Sequence, residues 1–134
     1  MKKEDLLSIC NVKDWYSSYG STYFTIILSG KEINFAFTGY SEEDTVLISS
    51  SFIEKIVREL DLLDKKARRI IKKQYENQDI DVLKLNDIVF DKSGCYSSFG
   101  MGYDMGESPA GKLYLFIKFD DKFQEDDDIV YEVY

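Results

Sequence analysis

The feature that most constrains the fold is a two-residue period of apolar side chains in the second half of the chain. Along residues 112–119 one set of side chains, Leu113, Leu115, Ile117 and Phe119, alternates with another, Lys112, Tyr114, Phe116 and Lys118. Residues 95–103 alternate in the same way, with Cys95, Phe99, Met101 and Tyr103 on one side. Successive side chains of a strand point to opposite faces, so this period predicts two antiparallel strands joined by a turn at residues 107–111.

Further strands are predicted elsewhere. Residues 23–28 are β-branched and aromatic, Ser29-Gly30 follows, and Ile33, Phe35 and Phe37 then alternate with smaller or polar residues, which is typical of a β-hairpin. Short strands are also expected at residues 45–48, 88–90 and 129–133. Between them, Lys92-Ser93-Gly94 fits a three-residue loop with glycine in the left-handed position.

Two helices are predicted between the strands. Residues 51–60 open with Ser51 and Glu54 at the spacing of a capping box, and apolar residues follow at helical spacing. A second helix starts at Asp61 or Asp64 and runs to about Tyr75. Its core face would be Ala67, Ile70, Ile71 and Tyr75, with Lys65, Arg68, Arg69 and Lys72 on another face. The expected fold is one α+β domain over residues 1–134, an antiparallel sheet with a helical hairpin packed on one face.

The composition limits the classes of protein to which this chain can belong. The chain has 134 residues, 44% of them apolar, which is enough for a single core. No secretory signal is recognised at the start, because Glu4-Asp5 directly follow Lys2-Lys3. No stretch approaches the roughly 18 apolar residues of a membrane span. Two cysteines without a signal indicate reduced thiols, so a soluble, cytoplasmic protein with no membrane partner is expected.

The chain contains no histidine. This excludes the Ser-His-Asp triad, Cys-His pairs and mixed Cys/His zinc sites, and Cys10 and Cys95 cannot form a four-ligand zinc site alone. We therefore expect no catalytic residues, no metal and no cofactor. Asp87, Asp91 and Asp104 could form a general acid/base pair, but turn chemistry explains them more simply. Gly100 and Gly102 lack the spacing of a nucleotide-binding loop and suggest a strand with a close-packed neighbour.

Charge favours a basic partner. The net charge is −8, yet residues 64–73 carry +5, which leaves −13 on the rest of the chain. An acidic surface repels phosphate backbones, so nucleic acid is not expected as the main partner. The basic stripe of the second helix is predicted to be a solvated face, and an anion or nucleic-acid contact is the alternative.

Two acidic runs are the candidate binding residues. One is Glu42, Glu43 and Asp44, and the other is Asp126, Asp127 and Asp128, with Tyr131 and Tyr134 as aromatic anchors. The second run lacks the spacing and the glycine of an EF-hand loop. It could be a plain solvated loop that blunts a sheet edge, or a docking surface for a basic protein.

Three segments carry a family resemblance: residues 62–67 (LLDKKA), 102–104 (GYD) and 111–120 (GKLYLFIKFD). In them the chain resembles small acidic bacterial α+β proteins that include immunity proteins of contact-dependent growth inhibition and related polymorphic toxin systems. The resemblance covers residues 60–120 and carries no catalytic motif. It implies a protein that binds and neutralises a cognate toxin domain, often a basic nuclease.

The sequence therefore predicts a non-enzymatic immunity-type protein. Three features support this: the missing histidine, the acidic surface and the many tyrosines, which are favoured anchors at interfaces. Two alternatives stay open, a small enzyme acting through carboxylates with Lys or Tyr, and a scaffold or regulatory domain with no toxin partner. The oligomeric state is not indicated.

Overall fold

A computed structural model describes residues 3–7, 11–28, 30–77 and 79–133, which form a seven-stranded, mostly antiparallel sheet with helices packed on it. The strands, in chain order and in sheet order, are β1 (Val12–Ser18), β2 (Ser21–Leu28), β3 (Lys31–Thr38), β4 (Lys84–Asp91), β5 (Phe99–Ser108), β6 (Gly111–Phe119) and β7 (Val130–Val133). The helices are α1 (Lys3–Leu7), α2 (Ser50–Arg58) and α3 (Leu60–Gln74). Cys10, Ser29 and Tyr134 lie outside the described residues.

One strand pairing departs from the expected antiparallel sheet. Strands β3 and β4 run parallel, with Asn34 opposite Asp87 and Phe37 opposite Phe90, whereas the other five neighbouring pairs are antiparallel. A parallel neighbour requires a long crossover, and residues 39–83 provide it through α2 and α3. The alternation in the sequence gave the faces of these strands but not their relative direction.

The core lies between the sheet and the helices. Aromatic rings form a stacked row across the strands, with centroid distances of 5.1 Å for Phe24–Phe35 and 4.9 Å for Phe37–Phe90. Ile53 of α2 and Ile71 of α3 are fully buried against this row. The predicted core positions Ala67, Ile70 and Ile71 of the second helix are confirmed, whereas Tyr75 lies at the C-cap of α3 and is only half-buried. Burial of such side chains holds an amphipathic helix on its sheet.

The local predictions for the helical region need three corrections. Residues 45–48 are not a strand, because Asp44–Leu47 form a 3₁₀ turn. Helix α2 starts at Ser50 with Ser49 at the N-cap, and the Ser51 hydroxyl contacts Ser49 at 2.7 Å instead of forming a capping box. Only Glu59 separates α2 from α3, which is shorter than the loop of a helical hairpin, so the two helices are consecutive and bent.

Two strand predictions also need correction. Strand β1 was not predicted, because a bulge between Lys13 and Tyr16 breaks its alternation. Cys95 does not belong to β5 but lies exposed in the preceding turn. That turn begins as expected, with Gly94 in the left-handed region at φ 80°.

The second face of the sheet carries no helix within the described part of the chain. A small cluster of Val89, Tyr96 and Phe116 lies there instead. The Phe116 ring lies over Gly102, where an added Cβ would come within 2.6 Å of it, and Tyr96 lies over Gly100. The expectation of a close-packed neighbour at these glycines is confirmed. We call this side of the sheet the open face.

Candidate protein-binding surface

The first acidic run stabilises a turn. Glu42 and Glu43 are exposed, whereas the Asp44 carboxylate accepts hydrogen bonds from the Ser41 N–H at 3.4 Å and from Lys92 Nζ at 3.3 Å. The bonds with Ser41 and Lys92 lower the pKa of Asp44. Its charge is therefore matched within the fold, and only the two glutamates project unmatched charge from this run.

The second acidic run lies beside lysines. Lys118 Nζ is 3.6 Å from Asp126 and 3.5 Å from Asp128, and Lys73 Nζ is 4.0 Å from Asp127. All three aspartates are exposed, so each pairing is weak and screened by salt. The negative charge of this run is therefore partly offset by lysines that are not adjacent to it in sequence.

The structure does not join the two acidic runs into one patch. Lys92, which holds Asp44, follows β4, and Lys118, which holds Asp126, lies in β6. Strand β5 separates them, so their attachment points are about 10 Å apart. Both runs flank the sheet at the same end, where β4 and β6 finish.

Tyr131, the predicted anchor, is 51% exposed and lies edge-on to Tyr75 with the centroids 6.4 Å apart. Burial, then the hydrogen bond with Tyr131, raise the pKa of Tyr75 to about 12. Because Tyr131 pairs with Leu115 of the helix-covered face, it lies at the β7 edge and away from the open face. Tyr134, the other predicted anchor, is outside the described residues.

The basic stripe of α3 is only partly a solvated face. Lys65, Arg69 and Lys72 are exposed, but Arg68 is turned inward with 17% of its side chain accessible. Its Nε donates to both Asp64 oxygens at 2.9 and 3.0 Å, and its terminal nitrogens donate to the carbonyls of Ile80 and Leu83. The prediction that Arg68 belongs to a solvated face is therefore wrong. Its guanidinium links α3 to the segment before β4.

The same network reaches into the sheet. The buried Tyr103 hydroxyl donates to Asp64 Oδ1 at 2.5 Å. Burial, then the Asp64 charge, raise the pKa of Tyr103 well above its usual value. A cleft of about 590 Å³ adjoins Asp64 and Arg68 between α3 and the starts of β3 and β4. The donors and acceptors of this network are directed at one another, as in a structural element.

The open face carries a polar row across three strands. The Thr25 hydroxyl on β2 donates to Asn34 Oδ1 on β3 at 2.9 Å, and the Asn34 side chain bonds to Asp87 on β4. Because the Asn34 oxygen is already an acceptor, its amide nitrogen is the donor to the Asp87 carboxylate. Register aligns the row, since Thr25 is opposite Asn34 and Asn34 is opposite Asp87.

The electrostatic surroundings of Asp87 differ from those of the other acids on this face. Burial raises its pKa, the Asn34 bond partly opposes the rise, and the charges of Glu132 and Asp104 raise it further. Within the described residues Asp87 makes no ion pair, whereas Asp104 is 3.1 Å from Lys112 Nζ. Asp87 is therefore a half-buried carboxylate whose pKa is raised by burial and by two other acids, one of which is itself paired with a lysine.

Lys13, which is paired with Glu32, lies opposite Thr25 and continues this row on β1, and tyrosines lie beyond it along β1 and β2. Tyr16 is 54% exposed, and its ring stacks on that of Tyr23, its partner on β2, at 5.1 Å. Tyr19 is fully exposed at the tip of the β1–β2 hairpin and has φ 51°, followed by Gly20 at φ 73°. Positive φ at both central residues defines a turn that favours Asn-Gly, so an exposed tyrosine there does not serve the turn.

Sequence reasoning considered Asp87 only as an isolated acid and did not single out these tyrosines. One signal was present: Asn34 lies between Ile33 and Phe35 in an alternating strand, which marks the polar side of β3. The row itself depends on the parallel pairing of β3 with β4, which brings Asp87 beside Asn34 from 53 residues along the chain.

Comparisons with protein-family models, curated proteins and solved structures find no match. No helix in the described part of the chain is long and apolar enough to cross a membrane. Among residues 3–7, 11–28, 30–77 and 79–133, no three Cys, Asp or Glu side chains are grouped so that they could hold a metal ion.

Proposed function

We propose that this protein binds a basic protein domain and neutralises it, as an immunity protein neutralises its cognate toxin. The acidic runs at residues 42–44 and 126–128 steer the partner, and the open face of the sheet receives it. The protein acts without catalysis.

The observation that carries the proposal is the open face itself. It presents the exposed Tyr16 stacked on the half-buried Tyr23, and two strands away an aspartate that makes no ion pair among the described residues. Tyrosine is a favoured anchor at interfaces, and an unmatched carboxylate complements a cationic surface. Folding alone favours neither feature.

The net charge of −8 supports the same proposal. Excess charge of one sign raises the rate at which an oppositely charged partner is encountered, and this effect weakens with salt. A basic nuclease domain is a partner of the right sign, because it binds phosphate backbones with its own cationic surface.

A co-expression experiment tests the function. The chain is expressed together with the product of an adjacent gene that arrests growth when it is expressed alone, and growth is measured. We expect the wild-type chain to restore growth and a Tyr16→Ala/Tyr23→Ala variant to restore less. Tyr131→Ala, which removes a tyrosine of similar exposure outside the open face, is the matched control. Failure of the wild-type chain to protect the cells contradicts the proposal.

A second candidate, a carboxylate-dependent enzyme, is favoured by one observation, the cleft lined by Asp64 and Arg68. The Tyr103 hydroxyl donates a hydrogen bond to Asp64, and Arg68 Nε donates another to the same carboxylate. The three groups therefore satisfy one another's hydrogen bonding. An Asp64→Asn variant that folds and still protects cells would argue against this candidate.

A further inference from the structure

We propose that Asp87 is the central contact of the open face and receives an arginine side chain from the basic partner. This inference rests on the proposed function, because it names the chemistry by which the open face would recognise that partner.

The position of Asp87 supports a central role. It lies on β4, the fourth of seven strands, with the Tyr16–Tyr23 pair on one side and the ring of Phe116 over Gly102 on the other. Gly102 is the residue opposite Asp87, and the Phe116 ring fills the space over it, so the β5 side of the carboxylate is covered by an aromatic ring. On the other side Asn34 is exposed, and a side chain from outside can approach the carboxylate from there.

The hydrogen bonding of Asp87 leaves capacity for a further donor. Asn34 supplies one bond to a carboxylate that has about four acceptor positions on its two oxygens. The Thr25–Asn34 bond holds the Asn34 amide in place beside Asp87, its register partner on β4. A carboxylate with free acceptor positions is suited to a charge-assisted pair with a forked donor.

Charge and burial together favour arginine over lysine. The charges of Glu132 and Asp104 both act on Asp87, although Asp104 is itself paired with Lys112, and Asp87 makes no ion pair within the described residues. The site is half-buried, and a guanidinium is more weakly hydrated than an ammonium, so it loses less when it leaves water. Arginine also matches a carboxylate in a bidentate manner.

A second copy of this chain is a poor occupant of the face. In a two-fold symmetric dimer the same patch meets itself, which would bring Asp87 and Glu132 of each copy towards like charge. The net charge of −8 per chain adds to that repulsion. The occupant with complementary charge is a cationic segment of another protein.

An NMR titration with hexa-arginine amide as the probe tests the inference. Hexa-lysine amide is the comparison probe. The variants are Asp87→Asn, which is isosteric, and Asp91→Asn, which removes the same charge from the same strand and the same face. A third variant replaces Asp126, Asp127 and Asp128 by Asn and so removes three charges from the exposed run.

We expect hexa-arginine to shift the resonances of the Asn34 side-chain amide and the Val89 backbone amide, and to bind more tightly than hexa-lysine. Asp87→Asn should weaken hexa-arginine binding by about fivefold or more, the scale of a lost charge-assisted bond. Asp91→Asn should change it less than about twofold.

Two results of the titration would overturn the inference. One is a larger loss in the triple variant than in Asp87→Asn, which would place the docking site at the exposed run. The other is equal binding of the two peptides, which would remove the assignment to arginine. Both outcomes are distinct from failure of the proposed function, which is judged by whether wild-type protein protects cells. Sedimentation velocity on the wild-type protein tests whether it self-associates. A dimer that the Asp87→Asn substitution abolishes would also contradict the inference.

Discussion

A partly buried aspartate lies on each side of the sheet, Asp64 in helix α3 and Asp87 in β4, and the two have opposite surroundings. On the helix-covered face, Asp64 accepts from Arg68 and Tyr103, and Arg68 also donates to two backbone carbonyls. On the open face, Asp87 receives a bond from Asn34, and burial and then the charges of Glu132 and Asp104 raise its pKa. A charge that is matched internally serves the fold, whereas one that lowers stability is retained for something outside it.

The largest expected effect is on the covered face. Arg68→Ala leaves Asp64 and the carbonyls of Ile80 and Leu83 without their charged donor, so we expect a loss of about 3 kcal/mol in the free energy of unfolding. Denaturant unfolding measures it. Arg69→Ala, one residue along and exposed, should change stability by less than about 0.5 kcal/mol. Equal losses of unfolding free energy in the two variants would mean that the Arg68 network does not stabilise the fold.

The next effect probes the packing of the open face. In Gly102→Ala the new Cβ would lie 2.6 Å from the Phe116 ring, so we expect a loss of about 1–2 kcal/mol from overpacking. Gly100→Ala meets the Tyr96 ring at 3.1 Å and should lose less. Thermal unfolding of both variants is the measurement. A larger loss at Gly100 would show that the two rings do not lie as described.

A smaller effect, of opposite sign, is expected at Asp87. Its folded-state pKa lies above the ordinary value of 3.8, raised by burial and then, against the Asn34 bond, by Glu132 and Asp104. Ionisation therefore weakens the fold, and the loss develops as the pH rises through the folded-state pKa. Asp87→Asn should stabilise the protein at pH 7 by about 0.5–1 kcal/mol. The gain should shrink as the pH falls towards 4.

Asp91 provides the control for that pH series. Burial raises its pKa, but bonds from the Ser93 side chain and N–H and from Cys95 outweigh this and lower the pKa. The stability contributed by the ionised form is present above the unfolded-state pKa and is lost as the pH falls through the folded-state pKa. Asp91→Asn should therefore destabilise slightly at pH 7. If both variants shift stability in the same direction, the contrast between matched and unmatched carboxylates fails.

The smallest effect on stability is expected at the exposed run. Neutralising Asp126, Asp127 and Asp128 removes weak pairs with Lys73 and Lys118 together with mutual repulsion, so stability should change by less than about 0.5 kcal/mol. Association with the partner should slow, most strongly at low salt, because exposed charges act on the encounter rate. Stopped-flow kinetics over a range of ionic strength measure this. A wild-type rate at every salt concentration would make the run a plain solvated loop.

The sequence predicted the parts of the fold that depend on local periodicity. Alternation gave the faces of β5 and β6, and helical spacing gave the buried side chains of α3. Features that depend on long-range pairing were not predictable in this way. The parallel β3–β4 pair follows from the path of the crossover, and the bulge in β1 hides that strand from a period-two search.

The same distinction applies to the candidate site. Runs such as residues 126–128 are visible because like charges adjoin in sequence, yet the fold places lysines beside them. Asp87 is isolated in sequence, and Glu132 and Asp104 act on it only after β4, β5 and β7 assemble. The sequence therefore locates the exposed charge, and the three-dimensional structure is needed to locate the carboxylate that makes no ion pair among the described residues.

Hydroxyl-radical footprinting of the complex with the basic partner tests most directly whether the open face is the binding surface. Tyr16 and Tyr131 are matched reporters, with exposures of 54% and 51%, one on the open face and the other at the β7 edge beside Tyr75. Binding at the open face predicts strong protection of Tyr16 and of Tyr23 beside it, with Tyr131 unchanged. Protection of Tyr131 with Tyr16 still reactive would contradict it and place the partner at the edge of the sheet.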